Sequence, residues 1–118
     1  MASIKGKNTK PELLIWGLLD HRRFKRYPKV YGNPDFGNIS RKVVIFVDGC
    51  FWHGCPRCYK APTTNTGYWA NKLDRNKAND HKVTEYLLSK DYTVLRFWEH
   101  DVIADSSGCS RIAMEALR

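Results

Sequence analysis

The sequence predicts an α/β domain built on a mixed sheet, and three features predict it. Lys42–Asp48 is a short run rich in β-branched residues, and Tyr92–Trp98 is a second. Between them, from about Tyr68 to Lys90, the residues Trp69, Leu73, Asn76, Asp80, Val83 and Leu87 recur at alternating steps of four and three, which sets all six on one helix face. With 118 residues the chain is read as a single domain, 1–118, large enough for one core.

The elements follow in order. Thr9-Lys10-Pro11-Glu12 fits a helix start, with Thr9 as N-cap, Pro11 in the first turn and Glu12 three residues after the cap, as in a capping box. That helix runs through Leu13, Leu14, Trp16 and Leu18 to about His21. The basic stretch Arg22–Gly32 has no clear period and reads as loop or edge strand. Asn33-Pro34-Asp35-Phe36 leads to Gly37-Asn38, a turn signal, so Asp35 starts a β-hairpin and Asp48 ends its second strand. A short terminal helix is expected over Gly108–Arg118. No repeat, low-complexity tract or interdomain linker interrupts this order.

Charge narrows the partner. The formal net charge is +8, and residues 1–42 carry ten Lys/Arg against three acids, so +7 of it lies in the first third. Such an imbalance points to a polyanion. The first residues lack the apolar core of a signal peptide, and the longest apolar run, Val43–Val47, is far below the roughly 20 residues of a membrane span. A soluble, intracellular protein is expected, and in a reducing compartment closely spaced cysteines hold metal rather than form disulfides.

Chemistry concentrates in FVDGCFWHGCPRC, Phe46–Cys58, which holds three of the four cysteines. Cys50, Cys55 and Cys58 supply three thiolates for a tetrahedral zinc, and His53, His100 and Cys109 are the candidates for the fourth ligand. Asp35 and Asp48 stand near one sheet edge, where carboxylate oxygens suit a hard divalent cation. Asn76 and Asp80 interrupt the apolar face of the long helix; burying a carboxylate there requires either a polar site or a partner such as an arginine.

Six segments carry a resemblance: IKGKNTKPE, the NPDF hairpin, VVIFVDGCFWHGC, TNTGYW, KLDRNKAND and TVLRFWEH. In this order, from about Ile4 to Trp98, the chain resembles the very-short-patch repair (Vsr) endonucleases, a bacterial and phage family of the restriction-endonuclease-like class. The resemblance implies a mixed central sheet flanked by helices, with a structural zinc loop. It implies a magnesium-dependent endonuclease that nicks one strand of double-stranded DNA beside a T·G mismatch. Asp35 would be the principal magnesium-binding carboxylate, Glu12 would support metal-bound waters, His53 would assist proton transfer, and Asp80 would orient that histidine. Zinc would fall on Cys50, Cys55, Cys58 and His100.

The departures are specific. Family members commonly have His where this chain has Asp48 and Cys where it has His100; imidazole replaces thiolate readily at zinc, and Asp48 is a possible second magnesium ligand. Lys5, Lys7 and Lys10 are expected on DNA phosphates, Phe51, Trp52 and Trp69 as wedges between bases, and Asn76 as a further DNA contact. A bacterial cytoplasm or a phage-infected host, and a monomer, complete the expectation. Two alternatives stand beside it: a site-specific homing or restriction-type endonuclease domain, and a non-catalytic zinc-stabilised nucleic-acid-binding module.

Overall fold

The computed structural model describes residues 9–49 and 63–117. Helix α1 (Lys10–Trp16) is followed by strands β1 (Lys25–Arg26), β2 (Phe36–Asn38) and β3 (Val43–Asp48), helix α2 (Thr66–Ser89), strand β4 (Thr93–Trp98), and helices α3 (Glu99–Ala104) and α4 (Ser106–Glu115). The sheet order is β1-β2-β3-β4. The first two pairings are antiparallel and the last is parallel, so the sheet is mixed. A parallel pair needs a long crossover, and α2 lies within it.

Strand β3 is buried along its whole length, and its alternation builds two layers. Val43, Ile45 and Val47 join Ile15, Leu19, Phe24, Phe36, Val102, Cys109 and Ala113 on one face. Val44 and Phe46 meet Val83 and Leu87 of α2 on the other. Complete burial of such side chains stabilises by about 1.5–3 kcal/mol each, so β3 is the element around which both cores condense. The six-residue face of α2 is borne out: Val83 and Leu87 are buried, while Trp69, Leu73, Asn76 and Asp80 are half-buried. Among the described residues no helix is long and apolar enough to cross a membrane.

Four local expectations are corrected. Helix α1 ends at Trp16, because Leu18 and Leu19 donate their N–H groups to the carbonyls of Ile15 and Trp16, three residues back. His21 also folds over the end, its Nε2 2.7 Å from the Trp16 carbonyl and its ring stacked at 3.8 Å on the Trp16 indole. The capping box does not form: Thr9 makes no side-chain bond to the helix backbone, and its hydroxyl donates to Glu12 Oε2 at 3.2 Å. Gly37-Asn38 lies inside β2, and the turn falls at 39–42, closed by Asn38 Oδ1 accepting from the Arg41 N–H. Gly37 serves close packing instead, since a Cβ there would come within 3.0 Å of Pro28 and 3.1 Å of the Val43 carbonyl. Finally, α3 precedes the terminal helix. Arg22–Gly32 does contain an edge strand, the two-residue β1.

Candidate active site

Three buried carboxylates, Glu12, Asp35 and Asp48, belong to the same stretch of fold and are held in different ways. Asp35 precedes β2 and continues its ladders. Its N–H donates to the Ile45 carbonyl at 2.9 Å, its carbonyl accepts from the Tyr27 N–H at 2.8 Å, and its Oδ2 accepts from the Val47 N–H at 2.7 Å. Main chain on both sides and a β3 amide therefore fix the carboxylate. Buried Pro34 has a fixed φ and no N–H to satisfy, and Asn33 before it takes a left-handed conformation, φ 55, so the chain turns into the hairpin at this point.

Glu12 turns inward from the first turn of α1. Its Oε1 accepts from the Tyr27 hydroxyl at 2.5 Å, and Arg26 Nη2 donates to that same phenolic oxygen at 3.3 Å. The carboxylate thus faces the β1 side of the sheet, toward the strand that pairs with Asp35's strand, rather than capping its own helix.

Asp48 closes β3 on the α2 side, where it meets Arg96 of β4. Arg96 Nη1 lies 3.0 and 3.2 Å from the two carboxylate oxygens. The same guanidinium donates to Thr84 Oγ1 at 2.9 Å and to the Asp80 carbonyl at 3.4 Å, lies 3.9 Å from Asp80 Oδ1, and stacks 4.1 Å from the centre of the Phe46 ring. Parallel pairing of Phe46 with Arg96 puts the arginine on this face. Asp80 therefore has the arginine contact that burial on an apolar helix face calls for.

His100 is the second residue of α3, directly after β4, with Nε2 3.1 Å from Asp101 Oδ1. Cys109 lies in the core with Ile15 and Val102, and burial, then the nearby charges of Asp101 and Asp105, push its thiol above the ordinary value. Lys10 is exposed, and Trp69 packs edge-on against Tyr68 at 5.0 Å. Lys5, Lys7, Cys50, Phe51, Trp52, His53, Cys55 and Cys58 lie outside the described residues. Among the described residues, no group of three or more His, Cys, Asp or Glu side chains is gathered closely enough to hold a metal.

Sequence comparison places this geometry in a family. Residues 1–60 match the family model of the DNA mismatch endonuclease Vsr. The chain is 39% identical over 125 residues, covering 100% of its length and 83% of the relative's, to the type II nicking enzyme V.NmeDIP of Neisseria meningitidis serogroup C. It is 38% identical over 115 residues to the type II nicking enzyme V.NaeI of Lentzea aerocolonigenes, covering 90% of this chain and 69% of that one. It belongs to the Vsr family. The DNA mismatch endonuclease Vsr of Escherichia coli strain K12 is 39% identical over 70 residues, 58% of this chain and 44% of that enzyme.

The Vsr family match takes in Glu12, Tyr27, Asp35 and Asp48 and ends before α2 and β4, which carry Asp80 and Arg96. Two site residues escaped the sequence reading of this Vsr-family chain. Arg96 left a signal: a cation in the middle of the strand TVLRFW must find an acid if the strand is covered on both faces. Tyr27 left none, because RRFKRYPK has no periodicity to say which side chains turn inward.

Proposed function

We infer that this DNA endonuclease of the Vsr family hydrolyses a phosphodiester in one strand of double-stranded DNA next to a T·G mismatch, with magnesium as cofactor. The observation that carries the reading is the pair of buried carboxylates, Asp35 and Glu12, secured through one residue, Tyr27, at the start of the hairpin. Hard oxygen donors of this kind suit magnesium, which takes one or two carboxylates and keeps several waters. Asp35 would be the principal residue holding the ion, and Glu12 would orient water beside it. Asp48 contributes only as far as its ion pair with Arg96 allows. Bound there, magnesium supplies Lewis-acid stabilisation of the charge that develops on the phosphate oxygens.

The chain's own groups do the rest. His53 carries a proton at the reacting phosphate, since imidazole titrates near neutrality, and Asp80 orients that ring. Lys5, Lys7 and Lys10 bind phosphates, which gives affinity without sequence information. Phe51 and Trp52 enter the base stack at the lesion, with Trp69 and Asn76 contacting the DNA from the first half of α2. Cys50, Cys55, Cys58 and His100 form a thiolate–imidazole set suited to a structural zinc. Parallel pairing of Asp48 with Trp98 favours this set, because the chain leaves β3 at Gly49 and enters α3 at the same end of the sheet. A monomer working in the cytoplasm of a bacterial cell or a phage-infected host fits these roles.

The test is a strand-resolved cleavage assay with magnesium on duplexes that differ only by a T·G mispair, using wild type and Asp35→Asn. Asparagine keeps an acceptor for the Val47 N–H, so the variant should fold, bind DNA and lose cleavage. Asp35→Asn activity within about tenfold of wild type would remove Asp35 from the magnesium site. Equal nicking of matched and mismatched duplex by wild type would favour a site-specific enzyme.

A further inference from the structure

We propose that Tyr27 is a positioning residue of the cleavage reaction: it ties Glu12 of α1 to the Asp35 hairpin and sets the direction in which the Glu12 carboxylate faces. The proposal rests on the reading that Glu12 acts at the site.

Tyr27 reaches both acids through different parts of itself. Its main chain extends the β1–β2 ladder by one step past the Arg26–Phe36 pair, with its N–H on the Asp35 carbonyl at 2.8 Å. Its side chain meets Glu12 fifteen residues upstream. The backbone adopts φ 50, a left-handed conformation that a bulky residue rarely takes. Conformations of this kind persist where the surroundings over-determine them and cluster at functional sites. Here the ladder on one side and the phenol–carboxylate bond on the other hold the turn.

The direction of the hydrogen bonds follows from the groups. A guanidinium only donates, so at 3.3 Å the phenolic oxygen accepts from Arg26 Nη2. The single phenolic proton then goes to Glu12 Oε1. Thr9 donates to the other oxygen, Oε2. Two donors from two different segments thereby fix the carboxylate plane, and with it the directions of the remaining lone pairs, of which a carboxylate has about four in all. A packing role alone would need the ring, which also lies 5.2 Å from the Arg26 guanidinium, but not the hydroxyl.

Tyr27→Phe keeps the ring and deletes the bond. Its single-turnover kcat on nicked-strand formation should fall by on the order of 10- to 100-fold with KM for the duplex unchanged, because misdirection of a catalytic group affects the bound complex. Combined with Glu12→Gln it should fall no further than Glu12→Gln alone, within about threefold, since both act through one carboxylate. A folded Tyr27→Phe protein with kcat within about threefold of wild type, or losses that multiply in the double variant, overturns the proposal. If Tyr27→Phe does not fold, Thr9→Ala decides: this exposed residue holds the other oxygen, a fall of a few-fold in kcat at constant KM supports the proposal, and unchanged kcat overturns it. Full activity in Glu12→Gln overturns the underlying reading of Glu12, and the positioning role with it; loss in Glu12→Gln without loss in Tyr27→Phe removes Tyr27 alone.

Discussion

Replacing Arg96 with methionine should destabilise the fold by about 3 kcal/mol, chiefly through the acid it leaves behind. The Asp48 side chain is 9% exposed and Arg96 22%, so the pair is nearer to a buried than to a surface ion pair. Removing one member of a buried pair costs about 3–5 kcal/mol, against about 0–1 kcal/mol for an exposed one. The partial exposure of Arg96 sets the expectation at the lower end of the buried range. Methionine preserves much of the packing over Phe46, so lost contact area adds little. For 118 residues the unfolding entropy is on the order of 0.25 kcal/mol/K, which converts about 3 kcal/mol to a fall in Tm of about 12 °C. Urea unfolding followed by far-UV circular dichroism, at fixed zinc and protein concentration, measures the change directly. A cycle with Asp48→Asn should give a coupling of at least about 1 kcal/mol. A loss below about 1 kcal/mol, or additivity in the cycle, would mean that Asp48 does not depend on Arg96.

Three further outcomes are expected. The raised thiol value of Cys109 means that the unfolded chain ionises first, so its contribution to stability is complete below about pH 9 and is lost as pH rises through the higher folded value. The stability difference between wild type and Cys109→Ala should shrink over that interval, while zinc, measured by elemental analysis, stays at one per chain in Cys109→Ala and is lost in Cys55→Ser. Replacing Phe51 and Trp52 together with alanine should lower the ratio of mismatched to matched cleavage more than it weakens binding to ordinary duplex, because a wedge gains most where stacking is already poor. Zinc-loaded, folded double variant with the full ratio would exclude the wedge.

The parts of the fold legible in the sequence were those whose periodicity is enforced by burial on a continuous face. Strand β3 and helix α2 stand within a residue or two of their expected limits because Val43–Val47 and Val83–Leu87 pack on each other's layers. Helix α3 was not legible: it has six residues and buries one side chain, Val102, too few for a period. Gly37-Asn38 misled for a different reason, since glycine in a turn and glycine under a crossing backbone look alike in a sequence. At the site, the positions of Asp35 and Asp48 on the hairpin followed from local signals. Their partners did not, because Arg96 reaches Asp48 through a parallel pairing across 48 residues and Tyr27 reaches Glu12 through a left-handed turn.

Their partners also distinguish Asp35 from Asp48, although both are buried carboxylates near the same strand. Asp48 follows Val44 and Phe46 onto the α2 face and meets a cation at 3.0 Å. Asp35 is held by the Val47 amide, a neutral donor, at 2.7 Å. A guanidinium compensates the charge of the acid it binds, whereas an amide orients the acid and leaves its net charge in place. Any cation approaching Asp48 therefore meets the repulsion of Arg96 as well. An aspartate at the end of β3 is thus compatible with the fold because Arg96, two residues back along β4, reaches its carboxylate.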